Sequence, residues 1–385
     1  MQQYSPMKPL TLLPGLLLLC LAGCTPTPHD QLADYHQRLA RVLELEPLPL
    51  DSDPLPVLPS RQDLTLPETT LRISLLDFLR LRCELSRAVG ERNSALGVVA
   101  QPSQRLHLSR EVLMLGPACV QRLRENRPQL ALELKQLLQL KTRERTRLWW
   151  NAWLSSEEWQ GFTRRGSQPL PLPEQEPDPP AIGAGLQALD YALQQGARWQ
   201  QQDYEYVTEV MEQHQQQLLL SELVGRWRQS QRLLTRLSDA SAQLLRQRLE
   251  HQPLCRHGRP TERARYLQNV FRNFYVGRVQ PYLSRVDRLG DQLLSRLQAL
   301  PGPLLSPPEA AVVVASDAAP LDTTALENYQ QWLRQLERER AALDRAHRAH
   351  VTAWQETLRQ CNMMPGPPAA DAARAAMSPV SAGAG

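Results

Sequence analysis

Residues 219–250 read LLSELVGRWRQSQRLLTRLSDASAQLLRQRLE. Leu219, Leu223, Trp227, Leu234, Leu237 and Leu244 recur at steps of four, three and seven, and Ser230 and Ser241 fill the wider gaps. That spacing lays one apolar stripe along a helix, the seam of a bundle or coiled coil. The pattern begins near residue 185 and is the strongest helical signal in the chain. Composition agrees. Leucine, glutamine, arginine and alanine dominate, while the residues that favour strands are sparse, with only 4 phenylalanines. The expected fold is all-α, a multi-helix bundle in two helical lobes.

Toward the C-terminus, residues 253–260 read as a loop around Cys255, and Thr261 restarts a helix. Pro281 should kink or break that helix, because proline lacks a backbone donor and clashes with the preceding turn. Residues 301–320 are rich in proline and alanine, with Val312-Val313-Val314 as a short extended piece. A final helix over 323–360 carries Leu326, Tyr329, Leu333, Leu336, Leu343, Trp354 and Leu358 on one stripe, completing a C-terminal lobe over 182–361. The tail, 362–385, is small residues and prolines and reads as disordered.

Toward the N-terminus, residues 166–181 hold Pro169, Pro171, Pro173, Pro177, Pro179 and Pro180 and read as a linker. The N-terminal lobe spans 69–165. Thr69 or Thr70 caps its first helix, which carries Leu71, Leu75, Phe78 and Leu79; Ser103 or Ser109 caps the next; and Pro128 opens a long helix to Trp153. Ser155-Ser156-Glu157-Glu158 reads as a cap and a short helix. Around it Trp149, Trp150, Trp153 and Trp159 cluster, better read as core packing than as a ligand pocket. Residues 24–68 hold a short helix over 31–45 and then Pro47, Pro49, Pro54, Pro56, Pro59 and Pro67, which together read as an extended tether.

What the tether would hold is written at the start of the chain. Leu21-Ala22-Gly23-Cys24 closes an apolar run, Leu10 to Leu21, behind the single basic residue Lys8. A membrane-spanning helix needs about 20 apolar residues, and this run is shorter and interrupted by Pro14 and Gly15, so a cleaved signal peptide over 1–23 is the better reading. The cleavage stretch resembles the lipobox of bacterial lipoproteins, which implies a Cys24 acylated on sulfur and amine. Two or more chains make such an anchor effectively stable. Thr25, where an aspartate would mark inner-membrane retention, implies the outer membrane, facing the periplasm. Met7 gives a more compact signal than Met1 and is an alternative start.

Loss of Lys8 with the signal reduces 44 basic residues to 43 against 40 acidic ones, too balanced a charge to indicate nucleic acid. With Cys20 removed and Cys24 acylated, Cys83, Cys119, Cys255 and Cys361 remain. An even number in an oxidising compartment indicates disulfides, and proximity favours Cys83 with Cys119 and Cys255 with Cys361. No CxxC spacing supports a metal site in their place.

His347 and His350 lie on the apolar stripe of the last helix, with Asp344 one turn before His347. Two imidazoles one turn apart can share a metal, but a helical di-metal centre needs further carboxylates, so core histidines are the better reading. They remain candidate ligand residues. His251 and His257 flank Cys255, where a disulfide is simpler than an activated thiol. Arg92, Asn93 and Ser94 form a polar turn beside Gly97 that offers several donors to a ligand, although Asn and Ser are also what a helix start demands. No HExxH, GxSxG, Walker A or GxGxxG motif occurs, so no cofactor is implied and no nucleophile stands out.

Arg92-Asn93-Ser94-Ala95-Leu96-Gly97 and Gln101-Pro102-Ser103-Gln104-Arg105-Leu106, with Asn269-Val270-Phe271, Val279-Gln280-Pro281-Tyr282-Leu283 and a closing His350-x-x-x-Trp354 before Cys361, resemble a family of uncharacterised Gram-negative lipoproteins, domain of unknown function 3080. The resemblance implies a lipoprotein and supplies no chemistry. The expected role is that of a non-enzymatic periplasmic interaction or accessory module, attached to the membrane by its lipid and meeting an envelope protein partner through a helix face. A lipoprotein that binds a small ligand or lipid is the alternative, and an envelope hydrolase of unfamiliar type the third.

Overall fold

The computed structural model describes residues 26–50, 54–68, 83–87, 101–164, 168–305 and 323–365. Within them the fold is all-α. Helix α1 (Pro28–Leu43) is followed by an irregular segment with one 3-10 turn (Gln62–Leu64). Next come α2 (Pro102–Asn126), α3 (Pro128–Leu154), α4 (Glu157–Phe162), α5 (Pro180–Gln200), α6 (Thr208–Ser221) and α7 (Leu223–His251). Helix α8 (Glu262–Val270) runs through a π-helical segment (Phe271–Val279) into α9 (Gln280–Ala299), and α10 (Thr324–Gln360) closes the chain. No described helix is long and apolar enough to cross a membrane.

The expected seam is the axis of the body. Helix α7 buries Leu223, Trp227, Leu234, Leu237 and Leu244, while α10, 37 residues and about 55 Å long, lies along it. Trp227 enters the space between α7 and α9, where its Nε1 donates to the Val286 carbonyl at 3.0 Å. A Cβ on Gly290 would sit 2.9 Å from the Trp227 ring, so only glycine admits the indole there. Toward its N-terminus the pattern is interrupted. Residues 201–207 separate α5 from α6, and Glu222, at φ 46°, turns α6 into α7.

Pro281 does not break its helix. The turns before it widen into the π segment, and the rod stays helical from Glu262 to Ala299. A widened turn relieves the clash between the proline ring and the carbonyl four residues back, which a regular α-turn would impose.

The described part of residues 24–68 is not a free tether. Leu32, Tyr35, Leu39 and Leu43 of α1 are 0–1 % exposed and pack in the main core against α7 and α8. Downstream, Asn151 pairs with the Leu66 backbone in both directions at 2.8 Å, and Trp150 Nε1 donates to the Leu64 carbonyl at 2.8 Å. The prolines hold the strap extended, and the leucines between them pin it to α3. The proposed linker is anchored in the same way. Leu170 and Leu172 are fully buried, Leu170 N–H donates to Ser230 Oγ at 2.8 Å, and Arg285 donates to the carbonyls of Pro171 and Pro177. The larger of two hydrophobic clusters therefore joins residues from both sides of 166–181, and the smaller, around Leu85, Val120 and Leu134, lies on the α2–α3 hairpin.

The first helix expected over 69–88 lies mostly outside the described residues, as do Val312-Val313-Val314, the signal peptide and the tail beyond 365. The caps are partly as expected. Ser156 Oγ accepts from Trp159 N at 3.0 Å, whereas α2 is capped by Gln101 rather than by Ser103 or Ser109, with Gln104 accepting from the Gln101 N–H.

Candidate functional site

The candidate residues fall in separate places. Cys24 and the turn Arg92, Asn93, Ser94 lie outside the described residues. Cys83 bonds Cys119, and Cys255 bonds Cys361, with Cα atoms 5.8 Å and 5.1 Å apart. The second bridge fastens the end of α10 to the loop after α7, so Cys255 offers no free thiol to His251 or His257.

His350 is a core residue. It is 1 % exposed, and its Nε2 lies 2.9 Å from Tyr35 Oη and 3.0 Å from Trp354 Nε1. Trp354 N–H lies within donating distance of both members of this pair, 3.0 Å from Nε2 and 3.1 Å from Tyr35 Oη. Burial, reinforced by the nearby imidazoles of His347 and His36, pushes its pKa down to about 3. The ring is thus a neutral strut joining α1 to α10. Tyr275 of the π segment packs edge-on against it at 4.9 Å. His347 is half-buried and also lowered by burial, and no group of three or more His, Cys, Asp or Glu that could hold a metal is found among the described residues.

The tryptophans are structural as well. Trp149, Trp150 and Trp153 are buried and donate to the Ala192 carbonyl, the Leu64 carbonyl and Gln195 Oε1.

A further candidate, which sequence reading missed, lies on α7. A cleft of about 600 Å³ opens between α7, α10 and the strap at Pro54, Leu55 and Pro56, with Arg228, Gln231, Arg232, Thr235 and Arg236 on one wall and Gln335, Glu339 and Ala342 on the other. That volume lies within the usual range for ligand sites. Arg228 is 1 % exposed and grips Glu339, which also accepts from Gln335 Nε2 at 2.9 Å. The third guanidinium nitrogen, Nη1, has no partner among the described residues. Gln231 is 2 % exposed, and neither its Oε1 nor its Nε2 has a partner among them. Buried polar groups are nearly always bonded, because desolvating one unpaired costs about 1–3 kcal/mol. Two neighbouring residues of one cleft break that rule together. The available signal was periodic: Arg228, Gln231, Arg232, Thr235 and Arg236 fall at i, i+3, i+4, i+7 and i+8, one stripe beside the leucine seam.

A protein-family model described as "Protein of unknown function (DUF3080)" matches residues 32–365. The chain belongs to this family. The family match begins within α1 and ends past α10, so it takes in the strap, the linker and the cleft. No similar protein was found among curated sequences or solved structures. Of the residues that carry the resemblance, Tyr282 places its hydroxyl 2.9 Å from Ser230 Oγ and 3.1 Å from the Leu170 carbonyl, and His350 and Trp354 complete the knot with Tyr35. These contacts tie α9 to α7 and the linker, and α10 to α1.

Proposed function

We propose that this chain is a binding module of the cell envelope, lipid-anchored at Cys24 to the outer membrane and facing the periplasm, that holds a partner in the cleft between α7, α10 and the strap. One observation carries the reading: Gln231 and Arg228, which line that cleft, carry buried hydrogen-bonding atoms with no partner among the described residues. A side chain kept unpaired in a core costs stability, and a ligand that completes its bonds recovers the loss. The lipobox-like Cys24 supports the anchor.

Site-specific photocrosslinking tests the role. A benzophenone amino acid at Thr235, on the cleft wall, should capture a specific partner in intact envelopes, and the same group at Arg124, near the end of the α2–α3 hairpin, should not. Equal patterns from both positions would refute a cleft-directed role. Replacing Cys24 with serine should release the protein from the membrane fraction; unchanged fractionation would refute the anchor.

A further inference from the structure

The unmet atoms of the cleft select what it takes. Arg228 holds Glu339, and Arg232 and Arg236 have interactions of their own within the chain, so charge does not choose the occupant. Gln231 does. Its acceptor Oε1 and its donor Nε2 lie on one edge of the amide, and both lack a partner among the described residues. A group that meets both must turn an N–H and a C=O to one side. An isolated trans amide, such as an acetamido group, points the two in opposite directions. An extended residue turns its own N–H and C=O the same way, as each hydrogen-bonded residue of a β-ladder does.

The protein already contains one such pairing. Asn151, also an amide and 1 % exposed, accepts from Leu66 N–H through Oδ1 and donates to the Leu66 carbonyl through Nδ2, both at 2.8 Å, and Thr65 before it has extended backbone. Gln231 matches Asn151 in chemistry and burial and differs in having no such residue opposite it among the described ones. Arg228 Nη1, about one turn back along α7, remains for a second carbonyl. Arg228 to Arg236 is eight residues, about 12 Å along a helix, which an extended chain covers in about three to four residues. Pro54, Leu55, Pro56 and Ala342 form the apolar part of the lining. We propose that the cleft binds an extended peptide segment of a partner protein, read through its main chain rather than its charge, with the N–H and C=O of one residue paired to Gln231. Rotation about the torsions of the glutamine side chain presents the covered amide to that residue. This rests on the cleft being a binding site.

The experiment is calorimetric titration of the detergent-purified full chain with acetyl-Ala-Leu-Ala-Leu-Ala amide and two N-methylated forms, one methylated at both leucines and the other at all three alanines. Alternate residues of an extended chain turn their N–H groups the same way, so only one form should lose affinity, by about tenfold, the loss expected for one buried hydrogen bond. In Gln231→Leu the two forms should bind alike. Ala342→Trp, which fills the cleft from the opposite wall and keeps the test open should the first variant misfold, should abolish binding of the parent peptide. N-acetylglucosamine, which carries a lone acetamido group, should not bind. The peptide assignment is overturned by a parent peptide that does not bind at about 1 mM, by equal effects of the two methylation patterns, or by a difference between them that persists in Gln231→Leu. Indifference to Ala342→Trp, or binding of the sugar alone, would overturn it as well. Crosslinking from Thr235 that persists alongside such a result would leave the cleft a binding site for another chemistry; loss of both would remove the site itself.

Discussion

Arg228 holds Glu339 through two charge-assisted bonds, Nε to Oε2 at 2.7 Å and Nη2 to Oε1 at 2.6 Å, with the arginine side chain 0 % and the glutamate 16 % exposed. The pair ties α7 to α10 at the floor of the cleft. Removing one partner leaves a buried charge uncompensated, so Glu339→Gln should cost about 3–5 kcal/mol in urea denaturation. The double change Arg228→Met with Glu339→Leu should recover most of that. A loss below about 1 kcal/mol in Glu339→Gln would show that the ion pair does not support the helix contact.

The strap makes its own prediction. Asn151 is 1 % exposed and satisfies both backbone groups of Leu66. Asn151→Leu strands a buried N–H and a buried C=O, which should cost about 2–4 kcal/mol and expose residues 54–68 to limited proteolysis. Cleavage there in the wild type at the same rate would restore the free tether.

The proposed anchor sets how near the body would sit to a membrane. The Pro26 carbonyl accepts from Gln175 Nε2 at 2.9 Å, so a lipid on Cys24 would lie two residues, at most about 7 Å of chain, from folded protein. A fluorophore on Gln175→Cys should therefore be quenched by headgroup-bound quenchers, and a 15-residue Gly-Ser spacer after Thr25, spanning about 20 Å, should relieve it. No change with the spacer would contradict a short leash.

Acid should loosen the fold before carboxylates titrate. Burial lowers the pKa of His350 to about 3 and of His107 to about 4, and lowers that of His36, against an ordinary value of 6.5. The unfolded chain binds more protons than the native one between those values. Stability is therefore complete above pH 6.5 and falls as pH drops toward the folded values, by up to about 1.4 kcal/mol per pH unit for His350. Unfolding free energy measured from pH 7 to 5 should decline, and less steeply in His350→Gln. A flat profile in the wild type would contradict buried, neutral imidazoles.

Much of this was legible in the sequence, for identifiable reasons. The α7 stripe from Leu223 and the α10 stripe from Tyr329 repeat at helical period and are buried, whereas Leu219, before the break at Glu222, is 39 % exposed. The two disulfides join the cysteines that proximity favoured, and His350 is the core residue its apolar flanks implied. Prolines misled. Leu64, Leu66, Leu170 and Leu172 are buried single leucines in proline-rich stretches, and no periodicity distinguishes a pinned strap from a loose one. The break at Glu222 carries neither glycine nor proline. The cleft was hidden because Arg228 and Gln231 look like a solvated face until α10 and Pro54–Pro56 cover them, a purely tertiary fact.

Gln231 offers the sharpest test, since a buried amide kept for a partner and one kept for the fold respond oppositely to removal. The unfolding free energy of Gln231→Leu, measured without added peptide, should equal or exceed that of the wild type, because an unpaired polar group gives way to an apolar one of similar size. A loss of more than about 1 kcal/mol would mean that the amide is satisfied within the protein, and the cleft would lose its claim to be a binding site.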